Sequence, residues 1–236
     1  MASPMDKQNT DKQEKLTIIE RLNEFIQKNR RFLAIGFISV IVILIGVIVF
    51  QTVSEKLQSK ALSRIDEFER RYQVMKYFIA DSDQIEASHQ EELNTLQDEL
   101  SAFGSKNFGF AAAKAYYLSA GIYGDQKKWD LAEKAWTEAA KIASKSYLAP
   151  IAIFNAAVAA EELGNIDSAI EQYSKAMNYG KLFFASARAQ FSIGRLEESR
   201  NNKQAALDAY RNLVSNWPND THWTNLAQSR IITLSK

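Results

Sequence analysis

The chain has no cysteine, only two histidines, three prolines and nine glycines in 236 residues. Without cysteine there is no disulfide framework, thiolate metal site, cysteine nucleophile or lipidated N-terminal cysteine. The compartment stays open, because disulfide-free proteins occur in cytosol and periplasm alike. Few glycines and prolines disfavour a turn-rich sheet protein and favour long helices. Neither sign of charge dominates: 29 basic and 28 acidic side chains nearly cancel. Nucleic-acid phosphate is therefore not an expected partner. His89 and His222 stand far apart in no ligand spacing, and Gly-rich phosphate loops, a nucleophile elbow and EF-hand loops are missing. The sequence thus predicts no enzyme, with no catalytic residue, cofactor or metal. The pairs Glu161-Glu162 and Glu197-Glu198 read as solvated charge at helix ends.

One long hydrophobic run is present. Phe32 to Phe50 carries no charge and a single hydroxyl, Ser39. At about 1.5 Å per residue it spans roughly 28 Å, the thickness of a bilayer's hydrocarbon. It exceeds a typical signal-peptide core and no small-x-small cleavage site follows, which predicts an uncleaved signal anchor. Lys28, Arg30 and Arg31 flank its start while only Lys56 lies comparably near its end. The positive-inside bias then puts residues 1–31 in the cytoplasm and the large C-terminal part in the periplasm of a bacterial inner membrane. Upstream, Leu16, Ile18, Ile19, Leu22, Phe25 and Ile26 are spaced for a helical run-in.

Residues 51–110 read as a helical stalk or hairpin. Ala61, Ile65, Phe68, Tyr72, Met75 and Ile79 lay one apolar stripe along a helix, and Leu93, Leu96, Leu100 and Phe103 lay a second. Asp81 and Ser82 suit a turn between them. One reading makes the first stripe a homo-oligomeric coiled coil. The other packs the two stripes on each other and on the domain that follows.

From residue 111 onward the chain falls into register with itself at a spacing of 37. Ala132, Ala169 and Ala206 align, as do Trp136, Tyr173 and Tyr210, and Ala139, Ala176 and Leu213. Upstream in each unit Ala120, Ala157 and Gly194 coincide, as do Ala115, Ala152 and Ala189. Each unit, 113–149, 150–186 and 187–223, holds two helical stretches around a turn, and Trp223 to Leu234 supplies one more helix as a cap. Small residues let antiparallel helices approach closely, and an aromatic one turn on fills the wider gap.

These residues resemble the tetratricopeptide repeat (TPR). The second unit matches its pattern best, with Ala157, Gly164, Ala169, Tyr173 and Ala176, while Gly194 and Pro218 fit in the third and Tyr123 in the first. The period is longer than the family's 34, and Lys127 and Asn201 stand where its turn glycine belongs. The resemblance implies an all-α fold, with the membrane helix and hairpin followed by a solenoid of about three repeats over 111–236. It also implies a protein-protein interaction module whose first helices line a groove. Lys114, Tyr117, Ile151, Phe154, Val158, Arg188, Phe191 and Arg195 fall on the groove positions. Such a groove would take an extended or helical peptide of another protein, unless the aromatics pack between helices or the 57–103 hairpin fills it. The layout is also similar to the periplasmic repeat-bearing ancillary subunit of the bacterial Sec translocon. That resemblance implies translocon or chaperone partners and a bilayer around 32–50. A self-associating scaffold of another envelope machine, such as a flagellar motor accessory assembly, is the alternative.

Overall fold

The computed structural model describes residues 4–81 and 87–236, and side chains outside 1–19, 21 and 79–87. Nine α-helices are present among the described residues, with no strand: α1 (Pro4–Asp81), α2 (Ala87–Lys106), α3 (Gly109–Asp125), α4 (Trp129–Ile142), α5 (Leu148–Glu162), α6 (Ile166–Met177), α7 (Ser186–Ser199), α8 (Lys203–Asn216) and α9 (Thr221–Leu234). A short 3-10 turn, Gly180–Leu182, precedes α7. The chain divides into two compact units, Met1–Ser59 and Lys60–Lys236.

The first unit holds the apolar run. Every side chain from 31 to 50 is exposed, and the segment is long and apolar enough to cross a membrane. Its lone hydroxyl is satisfied within the helix, Ser39 Oγ donating to the Ile35 carbonyl at 2.8 Å. Leu22, Phe25 and Ile26 are exposed as well, whereas the side chains of Leu16, Ile18 and Ile19 lie outside the described residues.

The second unit is a stack of helix pairs. Residues 60–81 of α1 pair with α2 in antiparallel fashion: Arg71 Nε donates to Glu92 Oε1 at 2.9 Å, and Arg64 pairs with Glu99 at 3.6 Å. The same part of α1 lies parallel to α3, with Glu69 on Lys114 at 3.0 Å and the Tyr72 hydroxyl donating to Asp125 further along. The parallel relation repeats between α5 and α7, where Phe154 meets Arg188 and Glu161 meets Arg195, and between α7 and α9, where Phe191 meets Trp223 and Glu198 meets Arg230. Residues 60–81, α3, α5, α7 and α9 are thus the first helices (A) of successive layers, and α2, α4, α6 and α8 the second (B). The hairpin assigned from sequence to a separate segment, 51–110, is the first layer of this stack from Lys60 onward.

Its core explains why. Ile65, Phe68, Tyr72 and Met75 are buried against Leu93, Leu96 and Leu100 of α2 and against Ala111, Ala115, Leu118 and Ile122 of α3. The stripe read as a possible self-association surface faces its own chain, with Ala61 packed partly buried at its edge and the Ile79 side chain outside the described residues. Asp81 closes α1, while Ser82 lies outside the described residues. In the later layers the periodic small residues are all fully buried, and the aromatics sit against them. Helix α6 presents Ala169, Tyr173 and Ala176 along one stripe, whereas Ala-rich α5, held between α4 and α6, buries residues on several sides.

The three A-to-B turns among the described residues, after α3, α5 and α7, share one backbone. Lys127, Gly164 and Asn201 have φ of 57°, 75° and 63°. Each amide bonds three residues back (2.9 Å), and the next amide bonds five residues back, Lys128 to Tyr123, Asn165 to Ala160 and Asn202 to Glu197. This double bond closes a helix around a left-handed residue. Where the family expects glycine, lysine and asparagine adopt the glycine conformation. A non-glycine residue there costs about 1–2 kcal/mol, less for asparagine. Lys127→Gly is therefore expected to raise stability by about 0.5–1 kcal/mol after glycine's entropy cost, Asn201→Gly to change little, and Gly164→Ala to lower it by about 1–2 kcal/mol. Thermal unfolding of the three variants checks the order.

Candidate functional site

Successive A helices touch along one face, and the residues predicted to line a groove fall on it unevenly. Phe154 is 6% exposed and belongs to the core, its ring 5.1 Å from Tyr173 and 5.7 Å from Phe183. It packs between helices, the outcome left open beside groove contact. Lys114 is half-buried, held by Glu69 and 5.9 Å from the Tyr117 ring. The Tyr117 hydroxyl accepts from Asn155 Nδ2 at 3.2 Å, joining α3 to α5. Phe191 is partly buried between Tyr210 (5.4 Å) and Trp223 (5.3 Å). Ile151 and Val158 are partly exposed. Arg188 and Arg195 are exposed, Arg188 lying over the Phe154 ring at 5.0 Å. The accessible part of the face is a strip of Tyr117, Ile151, Val158, Arg188 and Arg195 with a partly covered Phe191. Beside its C-terminal end an open cavity of about 480 Å³ lies between Phe191, Arg195, Tyr210 and Arg230. The described contacts of 60–81 and α2 are with each other and with α3, so the hairpin continues the stack instead of covering α5 and α7.

One member of each acidic pair read as solvated, Glu161 and Glu198, instead bolts two layers together, while Glu162 is exposed. Glu161 at the end of α5 takes two bonds from Arg195 of α7, at 2.6 and 2.7 Å, and accepts from the Tyr173 hydroxyl at 3.2 Å. One layer on, Glu198 accepts from the Tyr210 hydroxyl at 3.1 Å and from Arg230 Nε at 3.1 Å. A tyrosine of helix B, a glutamate of the same layer's helix A and an arginine of the next layer's helix A thus recur as a triad. Neighbouring Glu197 is buried and grips the turn, accepting from Arg200 at 2.6 and 2.7 Å and from Asn202 at 2.9 Å.

In the first unit Gly124 holds the glutamate's position and Trp136 the tyrosine's. A Cβ on Gly124 would stand 3.1 Å from the Trp136 ring, tighter than ordinary contact, so the larger ring would have to shift to admit glutamate there. The Trp136 indole N–H accordingly has no hydrogen-bond partner among the described residues.

The triads set local ionisation. Hydrogen bonding to Arg230 holds the Glu198 carboxyl below the usual carboxylate range, against a smaller opposing effect of burial. Burial, then the bond to Glu198, pushes the Tyr210 phenol up to about 12. A carboxylate depressed in the folded state contributes stability above its ordinary value near 4.3, and that contribution disappears as pH falls through the depressed value. Glu198→Gln is therefore expected to lower the melting temperature at pH 7 and to flatten its fall on acidification below about pH 4.3. A series of melts from pH 7 to pH 3 on both proteins measures this.

No group of metal-ligating side chains is present among the described residues. The two histidines stack on aromatic rings, His89 on Phe78 at 4.3 Å and His222 edge-on to Trp223 at 4.8 Å.

The comparisons with known proteins agree with this geometry. The tetratricopeptide-repeat family pattern matches residues 188–220, within the third unit. A TPR repeat-containing protein of Treponema pallidum (strain Nichols) is 29% identical over 231 residues, covering 92% of this chain and 94% of that protein. Among solved structures, the nearly identical TPR-like repeats of a candidate kinesin light chain from Podosopora anserina superpose with a TM-score of 0.54 at 9% identity. They cover 72% of this chain and 86% of theirs. A single-substitution variant of that protein superposes with the same score over 72% of this chain and 85% of its own. At that identity these structures bear on the fold alone. Repeat spacing, the Ala, Tyr and Gly packing positions, the left-handed turns and the relative matched over most of its length converge on one resemblance: the second compact unit is a solenoid of tetratricopeptide-like repeats.

Proposed function

We propose that residues 32–50 anchor the chain in a bacterial inner membrane, that the solenoid stands in the periplasm, and that it binds other proteins there as an ancillary part of the export translocon and its chaperones. Tetratricopeptide repeats serve in general as protein-protein interaction modules, and an exposed apolar segment of membrane-spanning length is consistent with an anchor. The observation that carries the binding half is the accessible strip on the A-helix face. There Ile151 and Val158 stand beside the exposed Arg188 and Arg195, a surface suited to a peptide with apolar side chains and acidic groups. The self-associating scaffold, which would use the stalk and the repeats, is left with the repeats, because the stalk stripe is buried within its own layer.

Arg188→Glu with Arg195→Glu reverses the charge of this strip and is expected to abolish co-purification of partners from gently solubilised membranes, whereas Glu161→Gln, which weakens the interlayer bolt but keeps both arginines, is expected to retain them. Retention of the same partners by the double variant contradicts the assignment. Sidedness is read separately. The chain has no cysteine, so single cysteines in place of Lys28 and Lys145 report alone. An impermeant thiol reagent added outside the inner membrane is expected to label position 145 and to spare position 28.

A further inference from the structure

The chain enters every helix A from one edge of the solenoid, and that edge has its own composition. Three of its B-to-A loops repeat a lysine followed by an exposed apolar side chain: Lys106 with Phe108, Lys145 with Tyr147, and Lys181 with Leu182 and Phe184. Phe108, Tyr147 and Phe184 are 59%, 55% and 83% exposed, although each folded loop has a core within reach. Their neighbours do turn inward: Phe183 is buried beside Phe154, and Phe110 is half-buried, its ring 5.8 Å from Tyr147. The loops 103–110, 142–148 and 177–186 contain no acidic residue and the fourth, 217–220, holds only Asp220, whose side chain caps α9, whereas the opposite edge carries exposed Asp125, Glu162 and Asp167 among its lysines and arginines. Lys60, where the second unit begins, stands at the same edge as these loops, because 60–81 runs parallel to α3. Only residues 51–59 separate it from the apolar run.

We infer that this edge rests on the surface of the membrane that the chain's own apolar segment crosses, with Phe108, Tyr147, Leu182 and Phe184 at headgroup depth and Lys106, Lys145 and Lys181 on anionic phospholipid. Aromatic rings with a polar rim and lysines with long apolar stems are the side chains that suit the interface. Each lysine near an anionic surface contributes about five-fold in partitioning. Residues 51–59, about 14 Å of helix, are all that separates Lys60 from the apolar run along the chain. The inference rests on the anchor proposed above.

The experiment uses the full chain in vesicles of phosphatidylethanolamine and phosphatidylglycerol containing nitroxide-labelled lipid. An environment-sensitive fluorophore is placed at Ser144→Cys on the loop edge, Glu162→Cys on the opposite edge or Gly46→Cys in the apolar run. Position 46 reports the anchor and position 144 the edge. The expected result is quenching at 46 and 144 and none at 162. Quenching at 144 is expected to be lost when Phe108, Tyr147 and Phe184 are all changed to serine, or when phosphatidylcholine replaces the anionic lipid. Quenching at 46 with none at 144 overturns the inference while leaving the anchor intact, and absence of quenching at 46 removes both. A crosslink from position 184 to a protein in native membranes, combined with no quenching at 144 in lipid alone, assigns the edge to a protein partner and overturns the inference too. Since the three rings are exposed, unchanged circular dichroism of the serine variant is expected and separates loss of docking from loss of fold.

Discussion

Phe68→Ala is expected to destabilise the second unit by about 3–5 kcal/mol, the loss typical of removing a fully buried aromatic side chain from a core. The Phe68 ring is 2% exposed, meets Phe103 edge-on at 5.6 Å and carries the Arg64 guanidinium over it at 4.7 Å. Its removal empties the centre of the first layer, where 60–81, α2 and α3 meet. The variant should unfold at lower temperature, with early loss of protection in the amides of α2, and its oligomeric state should not be the property that changes. If Phe68 were instead a contact between copies, the melting temperature would hold and the sedimentation coefficient would fall. Because a solenoid's stability is approximately a sum over neighbouring layers, the defect should be local at first and spread toward α4 only on further heating.

The second large effect lies at the other end of the stack. A Cβ on Gly194 would stand 2.5 Å from the Tyr210 ring, with further ring atoms at 2.8 and 2.9 Å. Both residues are buried, and Tyr210 is fixed at its far end by the bond to Glu198. The ring therefore has little room to give, and Gly194→Ala is expected to cost about 2–3 kcal/mol, in the upper part of the range for overpacked cores. The equivalent residues Ala120 and Ala157 already carry the Cβ that Gly194 lacks, so sequence logic alone would treat the change as a return to the repeat consensus. The variant pair Gly194→Ala with Tyr210→Leu gives a specific check: the double variant should be less destabilised than the sum of the single changes, because the smaller side chain frees the space that alanine needs.

Glycine at 194 shows which parts of the molecule were legible from the sequence. The 37-residue register identified the packing positions because their chemistry is local: a small residue opposite an aromatic satisfies close helix approach in every copy. The left-handed turns were marked by position even where Lys127 and Asn201 replaced glycine, and all three adopt the same backbone. The hairpin was legible as two stripes, although its place as the first layer was not. That layer packs Ile65, Phe68, Leu93, Leu96 and Leu100 where the later ones pack alanine and tyrosine, and so it falls outside the repeat register.

The ion pairs were not legible. Glu161 and Arg195 are 34 residues apart, and Glu198 and Arg230 are 32, so no single helix displays the pairing. The signal existed in combination: glutamate and tyrosine are both present in the second and third units, and both are absent from the first, where glycine and tryptophan replace them. Phe154 sits in the predicted groove register, yet it is buried because the long loop before α7 folds Phe183 against it. This lengthened loop also sends Phe184 outward, so the longer period shapes both the A-helix face and the loop edge.

The measurement that tests the central assignment most directly is photo-crosslinking in living cells from position 151 on the A-helix face, compared with position 171 on the exposed side of α6. Ile151 is partly exposed and Glu171 exposed, so neither replacement disturbs the core as one at Phe154 would. An interaction module that works through its A-helix face predicts defined protein adducts from 151, lost in the Arg188→Glu, Arg195→Glu background, with none of those adducts from 171. The same adducts from both positions, or adducts from 171 alone, would contradict it.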